Sequence, residues 1–420
     1  MKIYTKTYNN GLRLILEKNN KNVIASNILF KVGSQNESKT EEGYSHFIEH
    51  LVFKSSEKYT TEEIMDKFTM LGADFNAYTS KTVTRFIFKC LAENFEPCFE
   101  IYSDMLLHPK FLQEELDRER NVVIEEMKKY EDEPSEVMYQ GTVENYFDGT
   151  TLAHDILGTE EIISNVTRAQ LLEYKSRFYI PEKTIISVCG NIDFEKLDEI
   201  VTKYFISEYD YNAEPEKVDY TPLKINIKEK YKIIERDDNQ ANVCIHIKSV
   251  TYDSKLKYVA NLYTSILGNS QNSRLYKKIR EELGLVYSIY AYSEIKAGHG
   301  EMFIIFGTRP KNVQKAIFEI KKIIQELAEN GATEVELERA KIWKKSCMEF
   351  SSETNSDIAE INGSLIHNDN KHTSLSTRKS KFEKVKLEDI NKFAKRIANE
   401  KVFNIVAVGK DINIEDLKQF

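Results

Sequence analysis

The sequence contains no C-x-x-C pair, and its five cysteines (Cys90, Cys98, Cys189, Cys244 and Cys347) are odd in number and widely spaced. This excludes both a disulfide framework and a thiolate zinc site. Most of these cysteines sit in apolar runs, as small buried hydrophobes do. No run of 18 or more apolar residues occurs, so no membrane-spanning helix is expected. The N-terminal stretch lacks the apolar segment of a secretory signal and the Arg- and Ser-rich character of a transit peptide, so a cytoplasmic location is the expectation. Positive charge is not in excess either: the formal net charge is -8. Phosphate backbones need a basic face, so nucleic acid is excluded as the main partner. What remains is ordinary globular composition, 41% hydrophobic and 30% charged, in a chain long enough for two or three domains of about 150 residues each.

Strand-like runs open the chain at Leu12–Glu17, after the turn signal Asn10-Gly11, and at Val23–Val32. Thr40-Glu41-Glu42 precedes an apolar run from Phe47 to Phe53 and reads as a capped helix start. Strands return at Ala73–Tyr78 and Thr84–Cys90, residues 112–131 read as a long helix ending before Pro134, and a helix at Val166–Tyr179 leads to a strand at Thr184–Cys189. Residues 206–225 are polar, contain Pro215 and Pro222, and read as a linker. A shift of 219 residues then carries Val166 onto Val385, Gly190 onto Gly409 and Glu119-Arg120 onto Glu338-Arg339. One offset serving distant segments marks an internal repeat. The expected fold class is α+β, with two homologous domains at 1–205 and 226–420, each a mostly antiparallel sheet with helices packed on it.

His46, Glu49 and His50 form H-x-x-E-H inside the apolar run. Spacings of three and four place all three on one helical face. Two imidazoles one turn apart suit the tetrahedral preference of zinc, and Glu49 beside them is placed to take a proton from water. In a helix otherwise made of Phe47, Ile48, Leu51, Val52 and Phe53, these polar groups need partners. The motif alone also suits a pair of hydrogen-bonded structural histidines. Two histidines leave zinc needing an anion, and the acidic helix around 115–130 offers several. Glu119 and Glu126, seven residues apart, share a face, and Ile124 and Met127 argue that Glu126 lies on a packed part of it. A solvated face suits Glu114, Glu115 and Glu125. Spacing alone does not choose between Glu125 and Glu126. Of the remaining histidines, His154 is the one considered for the lining of the site; the others read as isolated structural or surface residues.

The sequence resembles the pitrilysin family of zinc metallopeptidases, the inverzincins, which includes insulin-degrading enzyme and the mitochondrial processing peptidases. The likeness is carried by Asn10-Gly11-Leu12, Gly43 with His46-Phe47-Ile48-Glu49-His50, Leu71-Gly72-Ala73 with Asn76-Ala77, Glu119-Arg120 with Glu125-Glu126-Met127, Ile156-Leu157-Gly158-Thr159-Glu160 and Gly190-Asn191. It implies a third metal ligand 76 residues beyond the second histidine, which falls on Glu126, with Glu119 supporting the site from seven residues earlier. Zn²⁺ is the implied cofactor, and His₂Glu chemistry favours it over manganese or cobalt. In the second half, Arg280 and Tyr287 match the family's substrate-binding pair, Tyr287 donating to the peptide carbonyl as it becomes tetrahedral. Asn76 and Ala77 match the strand that pairs with an extended peptide through the backbone. The same shift of 219 turns His46, Glu49, His50 and Glu126 into Ser265, Gly268, Asn269 and Lys345, a second half without metal groups.

The resemblance thus implies a zinc-dependent endopeptidase acting on extended, unstructured peptides, with Glu49 as general base. The largest members resemble four such domains closing as a clamshell, so a two-domain chain is expected to pair with a second chain, as a homodimer or as a heterodimer with a metal-free relative. The alternative from another class is a non-catalytic scaffold of the same fold; the intact His46/Glu49/His50/Glu126 set argues against it.

Overall fold

A computed structural model describes residues 2–225 and 229–420. The chain forms two compact units, and neither is one continuous stretch. Unit 1 comprises Met1–Lys128, Thr150–Val218 and Ser351–His372; unit 2 comprises Lys129–Gly149, Asp219–Phe350 and Thr373–Phe420.

Unit 1 is built on a sheet of β1 (Lys2–Thr7), β2 (Arg13–Lys18), β3 (Val23–Phe30), β4 (Asp74–Thr79), β5 (Thr84–Leu91) and β6 (Thr184–Gly190), in the order β1-β2-β6-β3-β5-β4. Only the β2–β6 pair is parallel among the described strands of this sheet. Unit 2 repeats the plan with β7 (Glu229–Glu235), β8 (Ala241–Lys248), β9 (Val286–Ile295), β10 (Gly300–Thr308) and β11 (Phe403–Gly409), in the order β7-β11-β8-β10-β9, with β7–β11 parallel. The fold is α+β with two mostly antiparallel sheets.

The repeat inferred from sequence is legible at single residues. A shift of 219 lays β6 onto β11 end to end, and the glycines closing these strands share one backbone conformation, Gly190 at φ 148 and Gly409 at φ 149. A Cβ on Gly190 would lie 2.8 Å from the Ile24 Cα, and one on Gly409 3.2 Å from the Ala241 Cα. Close strand approach and a φ that L residues avoid both demand glycine.

Four sequence expectations need correction. The contiguous division at 1–205 and 226–420 misses an exchange: the helix Pro134–Phe147 packs on β7, β8 and β11, while Asn355–Asp369 packs on β2, β3 and β6. The segment 206–225 is not wholly free linker, because Ala213 N donates to Asn9 O and Glu216 N to Glu182 O, both at 2.9 Å, tying it to unit 1. Its neighbours 226–228 lie outside the described residues. β1 escaped the sequence reading, since Lys6 shares the half-buried face of Tyr4 while Ile3 is exposed among the threonines, which hides the alternation. Finally, the motif helix starts at Tyr44, not after Thr40; Gly43, at φ 91, is its N-cap. The capping group is Glu37, whose two carboxylate oxygens accept from Gly43 N and Ser45 N, each at 2.8 Å.

Candidate metal centre

The motif helix Tyr44–Val52 buries Phe47, Ile48, Leu51 and Val52 in the unit 1 core. Its helical period therefore leaves His46 and His50 together on one side, ring centroids 4.7 Å apart. The acidic helix Gln113–Asp132 faces them. It is anchored by Arg120, which donates to Ile163 O and Val166 O at 2.9 and 2.8 Å, and by Glu115. Glu115 corrects the expectation of a solvated face. It is buried and accepts from the Ser55 and Thr61 hydroxyls at 2.6 and 2.7 Å, just beyond the motif helix.

These two helices bring the expected ligands together. His46 Nε2 lies 3.7 Å and His50 Nε2 3.4 Å from the same oxygen, Glu126 Oε2. Among the described residues, His46, His50 and Glu126 are the one group of three whose donor atoms all fall within 4.8 Å of one another. Glu125 points elsewhere, to Lys128 at 2.7 Å. Glu119 Oε2 sits 3.2 Å from His50 Nδ1, and its other oxygen accepts from Lys54 Nζ at 2.7 Å. That contact leaves His50 Nε2 as the nitrogen facing Glu126. Glu49 is 9% exposed and accepts from the Thr79 hydroxyl at 2.6 Å.

The donor set fits zinc. Two imidazole nitrogens and a carboxylate oxygen converge, and a carboxylate holds the far nitrogen of one ring. His46 Nδ1 is buried with no hydrogen-bond partner among the described residues. A cation on Nε2 would fix the ring proton on that Nδ1. Without metal, burial and the neighbouring His50 charge push the His46 imidazole well below its ordinary pKa. Burial also lowers His50, but the Glu119 and Glu126 carboxylates outweigh it and raise it to about 9. Burial raises the Glu49 carboxyl, against the Thr79 hydrogen bond. Glu119 is held low: burial opposes this, but His50 and Lys54 prevail.

Two outcomes follow here. Zinc must displace the proton from His50, so its affinity rises with pH and flattens near 9. Titration at pH 6.5, 7.5 and 8.5 should show about a tenfold gain per unit, one proton released per ion; a flat profile would contradict it. Second, Glu119→Gln removes the carboxylate behind His50 and should weaken zinc about 10- to 100-fold without abolishing it, measured by competition with a chromogenic chelator.

The other expected site residues are not members of this three-residue group. Asn76 is exposed and Ala77 buried on β4, the terminal strand of its sheet. The Asn76 side-chain oxygen accepts from Ala77 N at 2.9 Å, and its backbone carbonyl from the buried Tyr102 hydroxyl at 3.1 Å. Arg280 and Tyr287 belong to unit 2. Arg280 stacks over the Tyr276 ring and donates to its hydroxyl, and Tyr287 is 75% exposed on β9. His154 pairs with Glu42 at 3.4 Å, outside the three-residue cluster. Thr79, Glu37 and Lys54 went unmarked in the sequence reading. Lys54, one turn beyond His50, is the one a helical periodicity argument reaches.

Fold and site together define a chain of two units with, among the described residues, one candidate His/His/Glu metal centre, in unit 1. A model described as insulinase (peptidase family M16) matches residues 13–160, and one described as peptidase M16 inactive domain matches 165–342. An uncharacterized zinc protease of Bacillus subtilis, YmxG, is 31% identical over 94% of this chain and 95% of its own length. An uncharacterized zinc protease of Rickettsia bellii is 29% identical over 79% of each chain. Among solved structures, a protease from Helicobacter pylori aligns with TM-score 0.86 at 22% identity, covering 97% of this chain and 99% of that one. A peptidase M16 inactive domain from Pseudomonas fluorescens aligns with TM-score 0.87 at 19% identity over 98% of both. The chain belongs to peptidase family M16.

Proposed function

We propose that this chain is a zinc-dependent endopeptidase that cleaves extended, unstructured peptides. The observation that carries the reading is the convergence of His46 and His50 on Glu126, with the Glu49 carboxylate on the same helix. Zinc held by His46, His50 and Glu126 would supply a Lewis acid and an acidified water. Glu49 takes a proton from the attacking water and carries it to the leaving amine. Burial keeps its carboxyl above the ordinary range, which suits a group that must take up and release a proton. Glu119 holds His50 in the tautomer that faces Glu126. The peptide adds to the outer edge of β4 by backbone hydrogen bonds, so the residues around Asn76 and Ala77 read conformation rather than sequence. Tyr287 and Arg280 are assigned to the substrate carbonyls, Tyr287 as donor to the developing oxyanion. The working form is taken to be a homodimer.

The test is a digest of mixed unstructured peptides beside a folded protein, read by mass spectrometry. Internal cleavage of the peptides, with the folded protein untouched, is expected. Removal of terminal residues only, or no cleavage, would contradict the reading.

A further inference from the structure

We propose that Thr79 is the positioning residue of Glu49; the assignment rests on the peptidase reading and deepens it. The Thr79 hydroxyl donates to Glu49 Oε2 at 2.6 Å, the length of a charge-assisted O–H···O⁻ bond. Among the described residues, no other hydrogen bond reaches that carboxylate. One oxygen is thus occupied by a fixed donor, and the other is left for water. Threonine suits the task, since its branched Cβ restricts rotation.

The frame around the pair explains why the contact is constrained. Thr79 ends β4, opposite Thr84 of β5. Ala77 and Thr79 lie on the strand face opposite that of Asn76 and Tyr78. The hairpin tip beyond Thr79 is gripped by the loop at 33–37: Ser34 N donates to Ser80 O at 3.2 Å and Gln35 N to Lys81 O at 2.9 Å. The fit is close enough that a Cβ on Gly33 would stand 2.1 Å from Ser80 O. The same loop carries Glu37, which binds the first amides of the motif helix. One loop therefore clamps both the hairpin that ends in Thr79 and the helix that carries Glu49. Thr79 also shares its strand with Asn76 and Ala77, so the strand proposed to pair with substrate is the one that orients the base.

The experiment compares Thr79→Val, Thr79→Ser and Glu49→Gln with wild type for kcat, KM and bound zinc. Valine keeps the shape and removes the donor. Thr79→Val should lower kcat about 10- to 100-fold, the scale of a displaced catalytic group, with KM and zinc content unchanged. Thr79→Ser restores the donor and should recover most of the rate. Wild-type kcat in Thr79→Val overturns the assignment. So does an equal loss in Thr79→Ser, which indicates packing, a rise in KM alone, which indicates substrate pairing, or a loss of zinc, which indicates support of the metal. If Glu49→Gln is inactive while Thr79→Val is fully active, only the Thr79 assignment fails; if Glu49→Gln cleaves as wild type does, the general-base role of Glu49 fails and takes it along, and if wild type itself cleaves nothing, the peptidase reading fails.

Discussion

Glu49→Gln should reduce kcat/KM on an unstructured peptide by about 10²- to 10⁴-fold, the usual contribution of a general base, while bound zinc stays at the wild-type level. The substitution keeps the size of the side chain and an oxygen for the Thr79 hydroxyl, which now donates at 2.6 Å. It removes only the basicity. Stability should not fall, because a neutral amide replaces a carboxylate whose charge is disfavoured by burial. The base works ionised, so the acid limb of the wild-type rate profile follows its protonation; without metal, burial raises that carboxyl. Activity in Glu49→Gln within a few-fold of wild type would remove Glu49 from the mechanism.

Glu126→Ala should all but abolish zinc binding and hydrolysis together, whereas Glu125→Ala should change neither. The two residues are adjacent in sequence and opposite in consequence. Glu126 presents Oε2 to both imidazoles at 3.4 and 3.7 Å, while Glu125 is exposed and engaged by Lys128. An exposed pair of that kind contributes only about 0–1 kcal/mol. Loss of one of three protein ligands should exceed the roughly 10- to 100-fold that losing a supporting carboxylate costs. Metal analysis of the three proteins after dialysis reads the effect directly. Zinc retained by Glu126→Ala and lost by Glu125→Ala would reverse the assignment.

The ease with which each part could be read from sequence follows from how local its cause is. His46, Glu49 and His50 declare themselves because helical period alone puts them on one face. The repeat declares itself because Gly190 and Gly409 meet the same backbone demand, φ near 150 beside a neighbouring strand, and no other residue meets it cheaply. Glu126 needed the family resemblance, since Glu125 and Glu126 differ only in which way the helix turns. Thr79 and Glu37 were invisible because their partners, Glu49 and the amides of Gly43 and Ser45, come from other elements. Thr40 misled for a related reason: a good local capping residue was displaced by a tertiary one. Glu115 looked like one more solvated acid until the Ser55 and Thr61 hydroxyls were seen to reach it. The exchange of Pro134–Phe147 and Asn355–Asp369 between sheets leaves no trace in periodicity, because an amphipathic helix does not name the sheet it covers.

The most direct measurement of the central claim is zinc stoichiometry and peptide hydrolysis on one purified sample, before chelation, after it, and after zinc is returned. The account predicts about one zinc per chain, hydrolysis lost with the metal, and hydrolysis regained with it. Hydrolysis that persists in the metal-free protein, or a chain that takes up no zinc, would contradict it.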